Sequence, residues 1–250
     1  MSNVHVGSMG WSYDFWKPNF YPKSSTSSDF LAYYSKQFNT VEVDSTFYRI
    51  PRSKSVQDWK EQTSSGFLFS LKFPQIITHI KMLKDCEEET RIFLERVELL
   101  GEKLGPLLLQ FPPTFHDEQL NLLSAFLKNL PTEHRYVVEV RNKNLLNNNL
   151  YSILRENNAA LAWVDSAYMP LVDEITSDFL YLRWEGDRKK INGTLGKIET
   201  AKKTEIKSWA RKLKPIVERK TTFFGYFSKY YSGFPPSDIH EFLQSIQAWQ

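Results

Sequence analysis

A chain of 250 residues, 41% hydrophobic and 15% aromatic, has enough apolar surface for a sizeable core, which excludes a disordered polypeptide. Its formal net charge of +3 is nearly balanced and by itself implies neither nucleic acid nor a membrane surface as partner. A lone cysteine, Cys86, excludes an internal disulfide; with no apolar run of membrane length and no signal-like start in "MSNVHVGSMGW", it fits a soluble protein of the reducing cytoplasm.

Strand-like and helix-like segments alternate along the chain. "VHVGSMGW" opens as a strand, followed by an aromatic loop and the helix "SSDFLAYYSKQF", with Ser28 or Asp29 as cap. Next come the strand "TVEVDSTF", the helix "SKSVQDWKEQT" and the strand "GFLFSLKFP". "DCEEETRIFLERVELLGEKLG" reads as a long helix. Glu87, Glu88 and Glu89 oppose the dipole of its first turn, and Ile92, Phe93, Val97 and Leu100 form its apolar stripe. "PLLLQFPP", "RYVVEVRN", "AALAWVDSA", "DFLYLRWEG" and "TTFFGYFSKYY" supply the remaining strands. Helical patterns separate them, except for a short, weakly helical stretch between the sixth and seventh, and a helix closes the chain. Eight such units predict an α/β fold, a (β/α)8 TIM barrel over residues 1–250 as one domain. An open doubly wound sheet would advertise a glycine-rich phosphate turn, but "GSMGWSY" carries Trp11 where a third glycine would serve.

Most strands are apolar early and polar late. Glu42 and Asp44, Lys72, Gln110, Glu139 and Arg141, Asp165, Arg183 and Glu185, and Tyr226, Ser228 and Lys229 all fall near carboxyl ends of strands. Barrels place their chemistry there, so these residues are expected to ring the mouth. Acids and bases in such a ring can also simply satisfy one another. For Lys72, pairing with Glu42 or Glu139 is preferred to a Schiff-base role.

The strings themselves resemble the YecE-like family of TIM barrels of unknown function. "GSMGWSYDFWKPNFYP", "FNTVEVDSTFYRIP", "FSLKFPQIITH", "LGPLLLQFPP", "VEVRN", "WVDS", "YLRWEG" and "FGYFSKYYSGFPPSD" follow that family's order nearly end to end. The resemblance implies that Glu42, Thr46, Tyr48, Lys72, His79, Gln110, Glu139, Arg141, Asp165 and Arg183 occupy its recurrent polar positions. Three departures accompany it. Glu185 stands where the family commonly has histidine, Ser228-Lys229 where it has an asparagine pair, and Asn142 where histidine is frequent.

A multinuclear zinc site is poorly supplied. Of the five histidines only His79 reads as lying just beyond a strand's carboxyl end, with His116, His134 and His240 in or beside helices or amino-end loops. No metal ligand is therefore assigned and no cofactor is required, although magnesium on Glu42, Asp44 or Asp165 is compatible with the sequence. A paired-carboxylate glycosidase would want an acid where the fourth strand has Gln110. "EGDRKKINGTLGK" supplies basic residues, with Gly186, Gly193 and Gly196 for close approach of backbone amides to an oxyanion, and could act as a lid. Aromatic residues of the first two loops plug the mouth, with Trp11 and Tyr48 the best placed to touch a ligand.

The expected function is an enzyme-like pocket for a small anionic or phosphorylated ligand, with hydrolysis the least specific compatible reaction. Glu42, Lys72, Glu139 and Asp165 are the catalytic candidates. Trp11, Tyr48, His79, Gln110, Arg141, Arg183, Glu185 and Lys229 are the ligand-binding ones. A nucleic-acid-binding or nuclease-like protein is the alternative, using the basic loop and the aromatic rim. A catalytically inert interaction protein is a third, suggested by the three departures.

Overall fold

The structure, a computed structural model, describes residues 3–247. Its strands are β1 (Val4–Ser8), β2 (Thr40–Val43), β3 (Leu68–Lys72), β4 (Leu104–Phe111), β5 (Tyr136–Val140), β6 (Ala160–Ser166), β7 (Phe179–Gly186) and β8 (Thr222–Phe227). They pair in parallel in the order β1-β8-β7-β6-β5-β4-β3-β2. A parallel bridge between Met9 and Glu42 joins the two ends of that order, and the Gly10 amide donates to the Glu42 carbonyl at 2.8 Å. The chain therefore folds as the (β/α)8 barrel that strand-helix alternation implies. Closure depends on Gly7, where a Cβ would sit 2.0 Å from the Thr40 carbonyl oxygen. A side chain there would hold β1 and β2 apart.

The helices are α1 (Phe30–Gln37), α2 (Ser53–Gln62), α3 (Glu87–Val97), α4 (Leu120–Lys128), α5 (Asn148–Glu156), α6 (Lys203–Glu218) and α7 (Pro235–Gln247). α3 is shorter than its apolar stripe suggests, because a 3-10 turn over Glu98–Lys103 carries the chain into β4. Asp29 precedes α1 but does not cap it through its side chain, accepting instead from the amide and hydroxyl of Thr26 at 2.8 Å each. Residues 167–178, between β6 and β7, form no helix. Side-chain bonds fix them instead. The Thr176 hydroxyl accepts from the Leu161 amide and donates to the Ala159 carbonyl, and Trp163 Nε1 donates to the Glu174 carbonyl.

Strand alternation sorts the apolar residues into two cores. Leu108, Val137, Ala160, Ala162, Phe179 and Phe224 fill the barrel interior. Val41, Leu71, Leu109, Leu161, Leu182 and Phe223 face the helices. Further up the interior the filling becomes polar, and that change of composition makes the site.

At the opposite end, buried Lys103 ties the helical layer down. Its ammonium donates to the carbonyls of Lys60 and Thr63 at 2.6 and 2.7 Å and to the Thr63 hydroxyl at 3.1 Å, satisfying the carboxyl end of α2. Replacing Lys103 with methionine is expected to lower stability in urea unfolding by ~1–3 kcal/mol. An unaltered unfolding midpoint would contradict this capping role.

Candidate functional site

The ring expected from the sequence exists, built on one guanidinium. Arg183, on the inward parity of β7 with Phe179 and Tyr181, is only 2% exposed. It grips Glu42 of β2 in a two-pronged contact, Nη2 to Oε1 at 2.8 Å and Nε to Oε2 at 3.0 Å. Its Nη1 donates to Glu139 Oε2 of β5 at 2.6 Å and to Glu185 Oε1 at 2.5 Å. Tyr181 adds a hydroxyl donated to Glu42 Oε2 at 2.6 Å. Three carboxylates from three strands thus converge on a fork whose planar donors suit bidentate pairing.

Arg141, just beyond β5, gives a second layer. Its Nη2 donates to Glu185 Oε1 at 2.9 Å. Its Nε lies 2.5 Å from Glu139 Oε1, but the N–H is not aligned for a hydrogen bond, so this contact is ionic only. Gln110 bridges outward, donating to Glu139 Oε1 at 2.8 Å and accepting from Lys72 Nζ at 3.0 Å.

Burial alone would raise every carboxyl here, and the outcome depends on how much positive charge each one meets. For Glu139, burial is outweighed by Arg141 and then Arg183, which hold it down at about 2. Glu185 is likewise lowered, with Arg183 overcoming burial. In Glu42 burial prevails over Arg183, Asp44 adds to the rise, and the group lies above the ordinary carboxylate range. Burial opposes the charge on Arg183, but Glu139, Glu42 and Glu185 push it well above the usual arginine value.

Above this floor lies a cavity of about 460 Å³, of a size usual for small-molecule sites. Its wall includes Asp44, Lys72, Gln110, Arg141, Glu185 and Lys229, with Arg183 at its base. Phe47, Tyr48, Tyr13 and Tyr230 bring rings to it. Lys72 Nζ lies 4.7 Å over the Phe47 ring. Lys229 Nζ sits between the rings of Tyr13, Phe15 and Tyr230 at 5.6, 5.7 and 5.2 Å, and among the described residues it has no carboxylate within 4.0 Å. Arg188, also in the wall, lies over Tyr230 and reaches Glu185 Oε2 only at 3.4 Å.

A family model described as "Protein of unknown function DUF72" matches residues 5–250. The chain belongs to the DUF72 family. UPF0759 protein YecE of Escherichia coli (strain K12) is 37% identical over 138 residues, covering 55% of this chain and 48% of that protein. UPF0759 protein YunF of Bacillus subtilis (strain 168) is 30% identical over 132 residues, 50% of this chain and 45% of that one. The chain spans about half the length of these curated relatives. Among solved structures, a DUF72 family protein from Thermotoga maritima superposes with a TM-score of 0.84 at 25% identity, over 98% of this chain and 99% of that one. Another from Enterococcus faecalis gives 0.74 at 22% identity over 98% and 95%, a likeness of fold. The YecE-like resemblance read from the strings is thereby established, and with it the fold.

Within this DUF72 barrel the expected site residues divide. Lys72, Gln110, Arg141, Arg183, Glu185, Lys229 and the 73%-exposed Tyr48 meet at the cavity. Glu42 and Glu139, at 0% and 1% exposure, lie beneath it and do not line it. Asp165 does not join them. Ala160, Ala162 and Val164 take the inward parity of β6, so Asp165 points outward and accepts from Trp209 Nε1 of α6 at 2.7 Å. Trp11 packs against Trp59 and Phe69 in the helix-facing core. His79 contacts the Thr78 hydroxyl at 2.9 Å and the edge of Phe47, behind the cavity wall. His116 belongs to the loop after β4, on the carboxyl face, where Asn142 Nδ2 meets its Nδ1 at 2.8 Å. Asn142, one of the three departures, is thus engaged in loop structure.

Lys72 pairs with neither Glu42 nor Glu139; its acidic neighbour is Asp44, at 3.5 Å. The glycine loop differs too. Its amides at Asn192 and Gly193 donate to the Glu199 carboxylate at 2.9 and 2.7 Å, so the chain's own acid takes the place of an external oxyanion. That loop is also tied down, since Asn19 Nδ2 donates to the Gly196 carbonyl and the Glu199 and Thr200 amides to the Ser232 carbonyl. Gly186 has its own reason: at φ +71°, a Cβ would lie 2.1 Å from the Tyr230 carbonyl oxygen, so glycine lets the loop bearing Tyr230 close over β7. Magnesium finds no converging ligands, because Glu42 is bonded to Arg183 and Tyr181, Asp165 to Trp209, and Asp44 faces two cations. Among the described residues no group of three or more His, Cys, Asp or Glu side chains could hold a metal. Nor is any described helix long and apolar enough to cross a membrane.

Asp44, expected at the mouth but not among the catalytic or ligand-binding candidates, lines the cavity together with Arg188, Tyr13 and Tyr230, which were not candidates either. The signal for Asp44 was present: it continues the parity of Thr40 and Glu42 one step beyond the end of β2.

Proposed function

We propose that the cavity at the carboxyl face of the barrel binds a small anionic ligand, with Lys229 and Arg188 as its primary charge contacts. The carrying observation is Lys229, an ammonium held among three rings without a carboxylate. The deeper cations are otherwise engaged: Arg183 and Arg141 serve Glu42, Glu139 and Glu185, and neutralise rather than advertise charge. The anion's own charge would complete what these acids leave incomplete at the rim.

On this reading Glu42 and Glu139 are positioning residues. They fix the Arg183 fork and lie buried beneath the cavity. An acid–base step at the cavity, hydrolysis included, would fall to Asp44, the wall carboxylate that no protein donor saturates at Oδ1.

Thermal unfolding in rising inorganic phosphate, with chloride adjusted to constant ionic strength, tests the reading. The midpoint is expected to rise and saturate. Lys229→Ala should weaken the effect about 10- to 100-fold, the loss of one charged hydrogen bond. A linear, non-saturating response, or an equal response in Lys229→Ala, would refute it.

A further inference from the structure

We infer that the anion is carried by a polyol: the ligand is an acidic or phosphorylated sugar whose anionic group meets Lys229 and Arg188 and whose hydroxyls meet Asp44 and Lys72. This rests on the anion-binding reading and names its substrate class.

Asp44 carries the inference. Its Oδ1 is buried and receives no hydrogen bond from any described protein group, although buried acceptors are nearly always satisfied. The donors nearest to it stop short, Lys72 Nζ at 3.5 Å and Arg183 Nη2 at 3.9 Å. A ligand oxygen placed beside these groups has to donate to a carboxylate and accept from an ammonium at once. A hydroxyl does both, whereas a deprotonated phosphate or carboxylate oxygen can only accept and an amine cation can only donate. Gln110 fixes one side of this pair. Its Nε2 is committed to Glu139 and its Oε1 accepts from Lys72, so the Lys72 ammonium is held in place with donors to spare.

The remaining wall fits the rest of a sugar. Phe47 lies under Lys72, and Tyr48 meets Phe47 edge-on at 5.3 Å and 84° while 73% of its surface stays open. Rings set around paired hydrogen-bonding groups suit a ring or chain with apolar C–H faces and polar edges. An inorganic anion without a proton would engage the rim cations and leave Asp44 unsatisfied. An apolar ligand would leave Asp44 Oδ1 and the Lys229 ammonium without polar partners.

Titration calorimetry at constant ionic strength separates the possibilities. The probes are inorganic phosphate, glucose, glucuronate, and the phosphate esters glucose 6-phosphate, ribose 5-phosphate and glycerol 3-phosphate. At least one sugar acid or ester is expected to bind tenfold or more tighter than phosphate, and tighter than glucose. Preference for glucuronate or for an ester tells whether the anionic group is carboxylate or phosphate. Asp44→Ala should erase the tenfold advantage while phosphate affinity holds or rises, because a negative charge has been removed. If phosphate binds through Lys229 and no polyol anion binds tighter, the polyol assignment fails and the anion site stands. If neither phosphate nor any polyol anion binds, the anion site fails and takes the assignment with it. The ligand series on the unsubstituted chain decides this even if Asp44→Ala is unstable.

Discussion

Arg183→Met is expected to cost the chain ~3–5 kcal/mol or more, a large part of a typical domain's stability. The size follows from what the substitution abandons. Glu42 and Glu139 are essentially inaccessible to water, and both have Arg183 as hydrogen-bonded cation. Glu185 loses its 2.5 Å partner as well, and keeps Arg141. Removing one side of a buried pair leaves the other uncompensated, which costs far more than the intact pair contributes. Two checks distinguish this from loss of packing. Adding Glu42→Gln to the variant should recover stability, whereas the same change in the native chain should destabilise. The deficit should also shrink as pH falls toward 5, since protonation discharges the orphaned acids, while native Glu139, held at about 2, is still fully ionised there. A deficit insensitive to pH would mean that the guanidinium acts there as packing volume alone.

The second large effect is a slope. Asp238, in the first turn of α7, is 3% exposed and accepts from the Ser232 hydroxyl at 2.6 Å. Burial pushes it up to about 8, against weaker opposition from Ser232 and Lys202. Its folded value therefore exceeds the 3.8 of an unperturbed aspartate, and the folded chain holds a proton that the unfolded chain has released. Stability is then fully present below about 3.8 and is lost as pH rises to about 8, at ~1.4 kcal/mol per unit. Across the window this is on the order of 5 kcal/mol. Asp238→Asn keeps an acceptor for Ser232 and removes the titration. Urea unfolding of both forms from pH 4 to pH 9 should show the asparagine form gaining steadily on the native chain and levelling off above pH 8. Parallel curves would contradict a neutral, buried Asp238.

The barrel was legible because its signals are redundant: alternation of eight apolar runs with helical stripes, and the family strings in order. Glu42, Lys72, Glu139 and Arg183 share the inward parity of their strands and could be placed in one layer from spacing alone. What spacing could not supply was depth. Glu42 and Glu139 look like reachable acids in the sequence, and only the convergence of β2, β5 and β7 on one guanidinium turns them into its supports. Asp165 was misplaced by a single residue, since a one-step change of parity turns a side chain from the barrel interior to the helical layer. Glu199 shows a different limit. A glycine loop reads the same whether its amides await an external anion or hold the chain's own carboxylate, and here Glu199 takes them from within the same loop. Lys229 stood out only weakly as one charge after the last strand, and its isolation from carboxylates became visible only once the Tyr13, Phe15 and Tyr230 rings were in place around it.

The central claim, an anion held at Lys229 and Arg188, is tested most directly by crystals of the chain soaked in selenate and measured at the selenium edge. An anomalous peak is expected between the Lys229 ammonium and the Arg188 guanidinium, above the Glu185 carboxylate, and absent from crystals of Lys229→Ala. Selenate confined to lysines on the outer helices, with none at the mouth of the barrel, would contradict it.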